Sequence, residues 1–243
     1  MDVYLQPHSD DICFSLGALA HRRRRGVLLT LFPHSNYVPA ERRAEYPAQA
    51  IVTETRLGED AEFARRCGLG TQMLGEADAL TCGIGPFNVA RLEERAASIT
   101  APLMAALSLI PAVLSGEERP WLFCPSGIGN HVDHLATLTA IGRNYEALQR
   151  RYRIGFYEDL HYAAKAEARD PGVARLLAAF PRRTFRRHAW PLAEAAETKL
   201  ALIRLYQSQF AKAPRSLEQF TPASDTPSGP HEAVWSEEPS GPA

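Results

Sequence analysis

The opening residues constrain the fold most. Asp2-Val3-Tyr4-Leu5-Gln6 reads as a short strand, and Ile12 to Arg22 then carries apolar residues at helical spacing. Gly26 closes that helix, Val27 to Phe32 is a continuous apolar run, and Pro33 ends it. A strand that returns after a helix implies a parallel pair with a right-handed crossover. An unbroken apolar run, rather than an alternating one, marks a strand covered on both faces.

The same alternation continues. Ile51 to Cys67 has helical periodicity and stops at Gly68-Leu69-Gly70, and a strand is expected near Thr71 to Leu74. Val89 to Leu109 should be largely helical, with Pro102 as a kink or break. Trp121 to Pro125 reads as a buried strand, His134 to Arg150 as a helix, Ile154 to Glu158 as the next strand, and Ala193 to Phe210 as a last helix. Strands separated by helices of this length predict an α/β, Rossmann-like, doubly wound and mostly parallel sheet with helices on both faces. At 243 residues, 45% of them apolar, the chain can bury one sizeable core, so one domain is expected over residues 1–220. Residues 221–243 are dense in Pro, Ser, Gly and Glu and are expected to form a mobile tail.

Two motifs fall where ligands bind such a sheet, at the C-terminal ends of its strands. Pro7-His8-Ser9-Asp10-Asp11 lies between the first strand and its helix, where unpaired backbone N–H groups favour ionised carboxylates. His8 and Asp11 can converge on one ion across the tight turn while Asp10 points elsewhere. Gly127-Ile128-Gly129-Asn130-His131-Val132-Asp133-His134 follows the strand Trp121 to Pro125. His131 and His134 share one face of a helical turn, so one can bind metal while the other faces substrate. Each motif alone also suits an ordinary helix cap or turn. Together they supply nitrogen and oxygen donors suited to zinc with one position open.

The pairing of Pro7-His8-Ser9-Asp10-Asp11 with His131-Val132-Asp133-His134 resembles the PIG-L, or LmbE-like, family of zinc-dependent N-deacetylases. Arg56 to Glu59, Phe156 to Leu160 and Lys199 to Gln209 resemble further family segments, which extends the likeness from about Tyr4 to Phe210. The resemblance implies His8, Asp11 and His134 as metal ligands, Asp10 as general base, and His131 as the group that steadies the oxyanion and assists the leaving amine. Asp133 is read as the residue that orients His131 in catalysis, as a partner behind a histidine, or simply as a helix-start carboxylate. Ser9 replaces the motif's commonest proline. Gly129 stands where some members carry a tyrosine, so no tyrosine contribution follows from the motif.

The activity implied is hydrolytic removal of an acyl group, most often acetyl, from a 2-acetamido sugar or its conjugate. The alternatives are a metal-dependent amidase or esterase on a non-sugar substrate, and a non-catalytic metal-binding protein. Zinc is the expected cofactor, with iron, cobalt or manganese as other ions this donor set accepts. Arg56 is read as a substrate contact or as a helical partner of Glu59, and the loop from His34 to Pro47, with Asn36 and Tyr37, as a substrate lid or a plain connection.

A net charge of -1 gives no general reason to expect nucleic acid or an anionic membrane as partner. Arg22-Arg23-Arg24-Arg25 reads as a solvated helix end, and Arg182, Arg183, Arg186 and Arg187 as surface, or a contact for an acidic partner or another subunit. The start lacks a basic region followed by a long apolar run, and no long apolar span occurs, so a cytoplasmic protein is expected; monomer and homo-oligomer both stay open. Cys13, Cys67, Cys82 and Cys124 form no CxxC pair and are expected to be reduced and mostly buried. No dinucleotide or P-loop glycine motif follows any strand.

Overall fold

A computed structural model describes residues 1–111, 119–223 and 229–242. In chain order the elements are β1 (Val3–Gln6), α1 (Asp11–Arg23), β2 (Val27–Thr30), α2 (Gln49–Cys67), β3 (Gly70–Met73), α3 (Leu92–Leu109), β4 (Trp121–Pro125), α4 (Val132–Arg143), α5 (Tyr145–Leu148), β5 (Arg153–Tyr157), α6 (Ala166–Ala179), β6 (Arg186–Pro191), α7 (Ala196–Ile203) and β7 (His231–Ser236). They build one seven-stranded sheet in the order β3-β2-β1-β4-β5-β7-β6. The first five strands run parallel, whereas β7 is antiparallel to both its neighbours.

The pleat sends successive side chains to opposite faces. Tyr4, Phe123 and Tyr157 therefore join one buried cluster with residues of α1, α2 and α7, while Val3, Leu5, Leu122, Cys124 and Phe156 join another with α3 and α4. Helices on both faces explain why β1, β4 and most of β5 are buried at every position. The expected α/β, doubly wound sheet is the one found. Cys13, Cys67 and Cys124 are buried, Cys82 is exposed, and all four are free thiols. Among the described residues no helix is long and apolar enough to cross a membrane.

Several expectations need correction. Pro102 lies inside α3 without ending it. The helix expected over His134 to Arg150 is divided at Asn144, and the last helix narrows to α7 with short 3-10 turns around it. The elements α6 and β6 have no counterpart in the sequence reading.

The largest correction concerns the expected mobile tail. Within it, β7 is inserted between β5 and β6, with Ala233 and Val234 buried. Its composition conceals this because two of its anchors are polar. Glu232, fully buried, accepts hydrogen bonds from Lys199 Nζ (2.6 Å) and from the backbone N–H of Ala18 (2.8 Å) and Leu19 (2.9 Å). Lys199 also donates to the carbonyl of Phe14 at 2.6 Å. α1 departs from helical geometry at Leu16, and this buried ion pair serves the backbone groups on either side of that break.

The arginine clusters are also partly internal. Arg23 and Arg25 converge on Asp2, Arg183 pairs with Glu146 and Glu237, and Arg187 grips the buried carboxylate of Glu158.

Candidate active site

The C-terminal ends of β1, β4 and β5 deliver three short segments to one rim of the sheet. After β1, the chain turns through His8 to Asp11 with Asp10 at φ 105°, a region that L residues other than glycine rarely occupy. Asp10 precedes α1 yet makes no side-chain capping bond, so its carboxyl is not spent on the helix. Arg56 from α2 holds it instead. The guanidinium donates to Asp10 Oδ2 at 3.3 Å, to the Ser9 carbonyl at 2.6 Å and to Ser35 Oγ at 3.0 Å.

Each of the two central histidines is gripped from behind by a buried carboxylate. His8 Nε2 lies 3.0 Å from Asp133 Oδ2, and His134 Nδ1 lies 2.7 Å from Asp159 Oδ1. A hydrogen bond at one ring nitrogen leaves the other as the lone-pair donor. The two remaining nitrogens, His8 Nδ1 and His134 Nε2, are 3.3 Å apart. Asp11 completes a triangle, with Oδ2 3.5 Å from His8 Nδ1 and Oδ1 3.3 Å from His134 Nε2.

Those separations provide the test of fit. A tetrahedral ion with bonds of about 2.0–2.1 Å requires donors roughly 3.3–3.4 Å apart. His8, Asp11 and His134 could therefore hold a divalent ion with little movement. His8, His131 and His134 also offer nitrogens within 4.8 Å of one another, a group that fits a metal site on looser spacing. The Asp11-containing triangle is the tighter one, and His131 has a separate role in the geometry. Its Nδ1 accepts from the Asp133 backbone N–H at 3.3 Å, which places its ring proton on Nε2.

The electrostatics follow the same division. Burial pulls His8 down, but hydrogen bonds to Asp11 and Asp133 outweigh it and raise its pKa to about 9. His134 is likewise raised against its burial, chiefly by Asp11 and Asp159. Burial and the charges of His8 and His134 drop His131 to about 2, so it is neutral. Asp10 is pushed up to about 8 by burial and neighbouring Asp11, against the pull of Arg56. Carboxyl groups of contrasting proton affinity thus sit side by side, since Asp11 is held well below its usual range by the two histidines despite burial.

The cavity in front of these groups measures about 360 Å³. His8, Asp10, Asp11, His131 and His134 form its floor, while Tyr37, Leu80, Phe87, Tyr162 and Phe210 give it an apolar mouth. Phe87 and Tyr37 are 58% and 48% exposed, so the mouth is open to solvent with its aromatic faces bare.

The structure thus gathers His8, Asp10, Asp11, His131 and His134, and places three other expected residues, Asp133, Arg56 and Asn36, away from a direct part in the cavity chemistry. The carboxylate of Asp133 does not orient His131 or meet the cavity. It is fully buried and is shared among His8, Arg95 and the backbone N–H of Ala79. Arg56 lines the cavity, but its guanidinium is engaged by Asp10, Ser9 and Ser35. Nor does it pair with Glu59, whose carboxylate binds the backbone and hydroxyl of Ser208 at 2.8 and 2.6 Å. Asn36 is exposed and is not part of the cavity wall, whereas its neighbour Tyr37 is.

Sequence reasoning missed Arg95, the role of Asp159, and the mouth residues Leu80, Phe87 and Tyr162. The acidic pair Glu158-Asp159 directly after β5 was the available signal for Asp159, because that segment belongs to the same rim.

Solved structures agree with this architecture. A deacetylase from the biosynthesis pathway of teicoplanin superposes with a TM-score of 0.68 at 17% identity, over 96% of each chain. The A40926 pseudoaglycone deacetylase gives 0.62 at 21% identity, over 96% of this chain and 95% of its own. A zinc-inhibited form of a teicoplanin deacetylase gives 0.63 at 18% identity, over 96% of each chain. The class that fold and site define is therefore an α/β protein with the fold of these deacetylases and a buried histidine and aspartate cluster at its strand ends that fits a metal site. No family model and no curated protein matches the sequence.

Proposed function

We propose that this protein is a metal-dependent N-deacetylase that removes an acyl group, most readily acetyl, from a 2-acetamido sugar or sugar conjugate. The observation that carries the reading is the donor triangle of His8, Asp11 and His134, with Asp10 beside it in the same cavity. The family resemblance of the two motifs and the shared fold with solved deacetylases support it. Zinc is the ion proposed, since two imidazoles and one carboxylate with an open position suit it.

An amide resists hydrolysis at both ends, because water is a weak nucleophile and an amine a poor leaving group. A divalent ion held by the triangle supplies Lewis acidity, which makes water easier to deprotonate and polarises an acyl oxygen. Asp10 accepts the proton as water attacks the acyl carbon. Arg56 keeps its carboxyl in place through the short bond to the Ser9 carbonyl and the bond to Asp10 itself. His131, with its proton on Nε2, is a hydrogen-bond donor to the oxygen that gains charge. The proton held by Asp10 then passes to the departing nitrogen, so that one carboxyl serves both ends of the reaction.

The apolar mouth favours a conjugate over a free sugar. Tyr37, Leu80, Phe87 and Phe210 offer aromatic and aliphatic faces to whatever the sugar is attached to, and burial of such surface contributes about 25 cal/mol per Å².

The test is acetate release by purified protein from a panel of N-acetylglucosaminides with and without an aryl or alkyl aglycone, in metal-free and zinc-supplemented buffer. Zinc-dependent release, faster on the aryl glycosides, is the expected result. A zinc-loaded protein that releases no acetate from any of them overturns the reading.

A further inference from the structure

Asp10 occupies the position from which a residue normally caps the following helix, and aspartate is among the side chains that do so best. A capping residue takes an extended backbone, which turns its side-chain oxygen back onto the N–H groups of the first turn. Asp10 instead sits at φ 105° and ψ -30° and makes no such bond. The first turn of α1 is buried, so its backbone donors still need an acceptor.

Gln6, the last residue of β1, supplies one. Its side chain is fully buried, and its Oε1 accepts from the Ile12 backbone N–H at 3.2 Å. The amide is fixed from its other end, where Nε2 donates to Asp60 Oδ2 at 2.8 Å and to Thr30 Oγ1 at 2.9 Å. Asp60 is held in turn by the Tyr206 hydroxyl at 2.8 Å. Turning the amide over would set its oxygen against a carboxylate and its NH₂ against an N–H, so these partners decide which end of Gln6 faces the helix. Side chains from β1, β2, α2 and the segment after α7 thus converge on one backbone N–H, two residues beyond Asp10.

We propose that Gln6 is a positioning residue of the deacetylation: by capping α1 in place of Asp10, it leaves the Asp10 carboxyl free to face Arg56 and the cavity. The inference rests on the deacetylase reading above, with Asp10 as the group that takes the proton from water. Without the amide, the Ile12 N–H loses its acceptor, and Asp10 stands at the position from which a carboxyl can turn to it. A carboxyl drawn onto the helix is drawn away from the water it must deprotonate, while His8, Asp11 and His134 keep their own partners.

The experiment measures kcat, KM and zinc content on an aryl N-acetylglucosaminide for wild type, Gln6→Met, Asp10→Asn and the double variant. Gln6→Met keeps the length of the side chain and removes both polar ends. The expected result is wild-type zinc content and KM with a kcat lower by about 10²-fold, the loss that a displacement of about 1 Å can bring. Beside Asp10→Asn the same replacement should cost no further kcat, because the residue through which it acts is already gone. A cap that serves the fold alone would cost the same factor in both backgrounds, and that outcome overturns the proposal. So does a Gln6→Met protein with wild-type kcat, or one that loses zinc. Gln6→Asn gives the same test if Gln6→Met does not fold, since its amide can still pair with Asp60 and Thr30 but is one methylene too short to reach Ile12 as well. An inactive wild type removes the deacetylase reading and this inference with it, whereas an active wild type with equally active variants removes this inference alone.

Discussion

Asp159 Oδ1 stands 2.7 Å from His134 Nδ1, while its Oδ2 accepts from Ser126 Oγ at 2.6 Å and from the Ile128 backbone at 3.0 Å. One buried carboxylate therefore sets the tautomer of a metal-ligand candidate and shapes the glycine loop before it. Removing such a partner usually costs 10–100-fold in metal affinity. Asp159→Asn should weaken zinc binding within about that range, read by competition with a chromogenic chelator. Unchanged affinity would separate Asp159 from the metal site.

Asp10 lies outside the donor triangle, so its loss should separate chemistry from binding. Asp10→Asn is expected to retain one zinc per chain while kcat falls by about 10²–10⁴-fold, the range for loss of a positioned acid-base group. Metal analysis beside steady-state kinetics checks both halves. Zinc loss in this variant would contradict the assignment of Asp10 as a group that moves protons only.

The metal-free protein should lose stability as pH rises. His8, whose usual value is 6.5, has a folded-state value of about 9, so its contribution is complete below pH 6.5 and lost as pH climbs through 9. Asp10, raised from 3.8 to about 8, acts in the same direction, because the folded state holds the extra proton. Urea midpoints of metal-free protein should therefore fall between about pH 6.5 and 9. Zinc, which binds the deprotonated donors, should oppose that fall. A midpoint that rises over this window contradicts these proton affinities of His8 and Asp10.

The Lys199–Glu232 pair secures the late strand β7 to α1 and α7. Both side chains are fully buried, and Lys199→Ala leaves the carboxylate without its cation, a change that costs about 3–5 kcal/mol. Urea unfolding at neutral pH measures it. The double replacement Lys199→Met with Glu232→Gln should cost less than the single one, since no unpaired charge remains. Equal costs would show that the ion pair is not what secures β7.

Much of this organisation was legible in the sequence, for a physical reason. Strands buried on both faces must be apolar throughout, so β1, β2 and β4 announce themselves, and the segments after β1 and β4 fall on a rim that topology makes a binding site. His8, Asp10, Asp11, His131 and His134 are chemically distinctive, close to those strand ends, and hence readable. Arg56 and Glu59 were visible but misread, because their partners come from Ser9 and Ser208, contacts that only the folded chain creates, and the reading of Asp133 as a partner behind a histidine could be told from its alternatives only once His8 and Arg95 stood beside it. β7 was hidden by its composition. His231 and Glu232 count against a strand until Lys199, Arg187 and two backbone N–H groups are placed beside them. The cavity mouth was hidden as well, since loops carry no periodicity.

The insertion of β7 between β5 and β6 imposes an order on biosynthesis. During translation β5 emerges some eighty residues before the strand that will cover it, and for that interval its outer edge is bare. Such an edge is a template for pairing with other chains. A ribosome-bound intermediate halted before residue 231 therefore holds an unfinished sheet, and its need for protection comes from that open border.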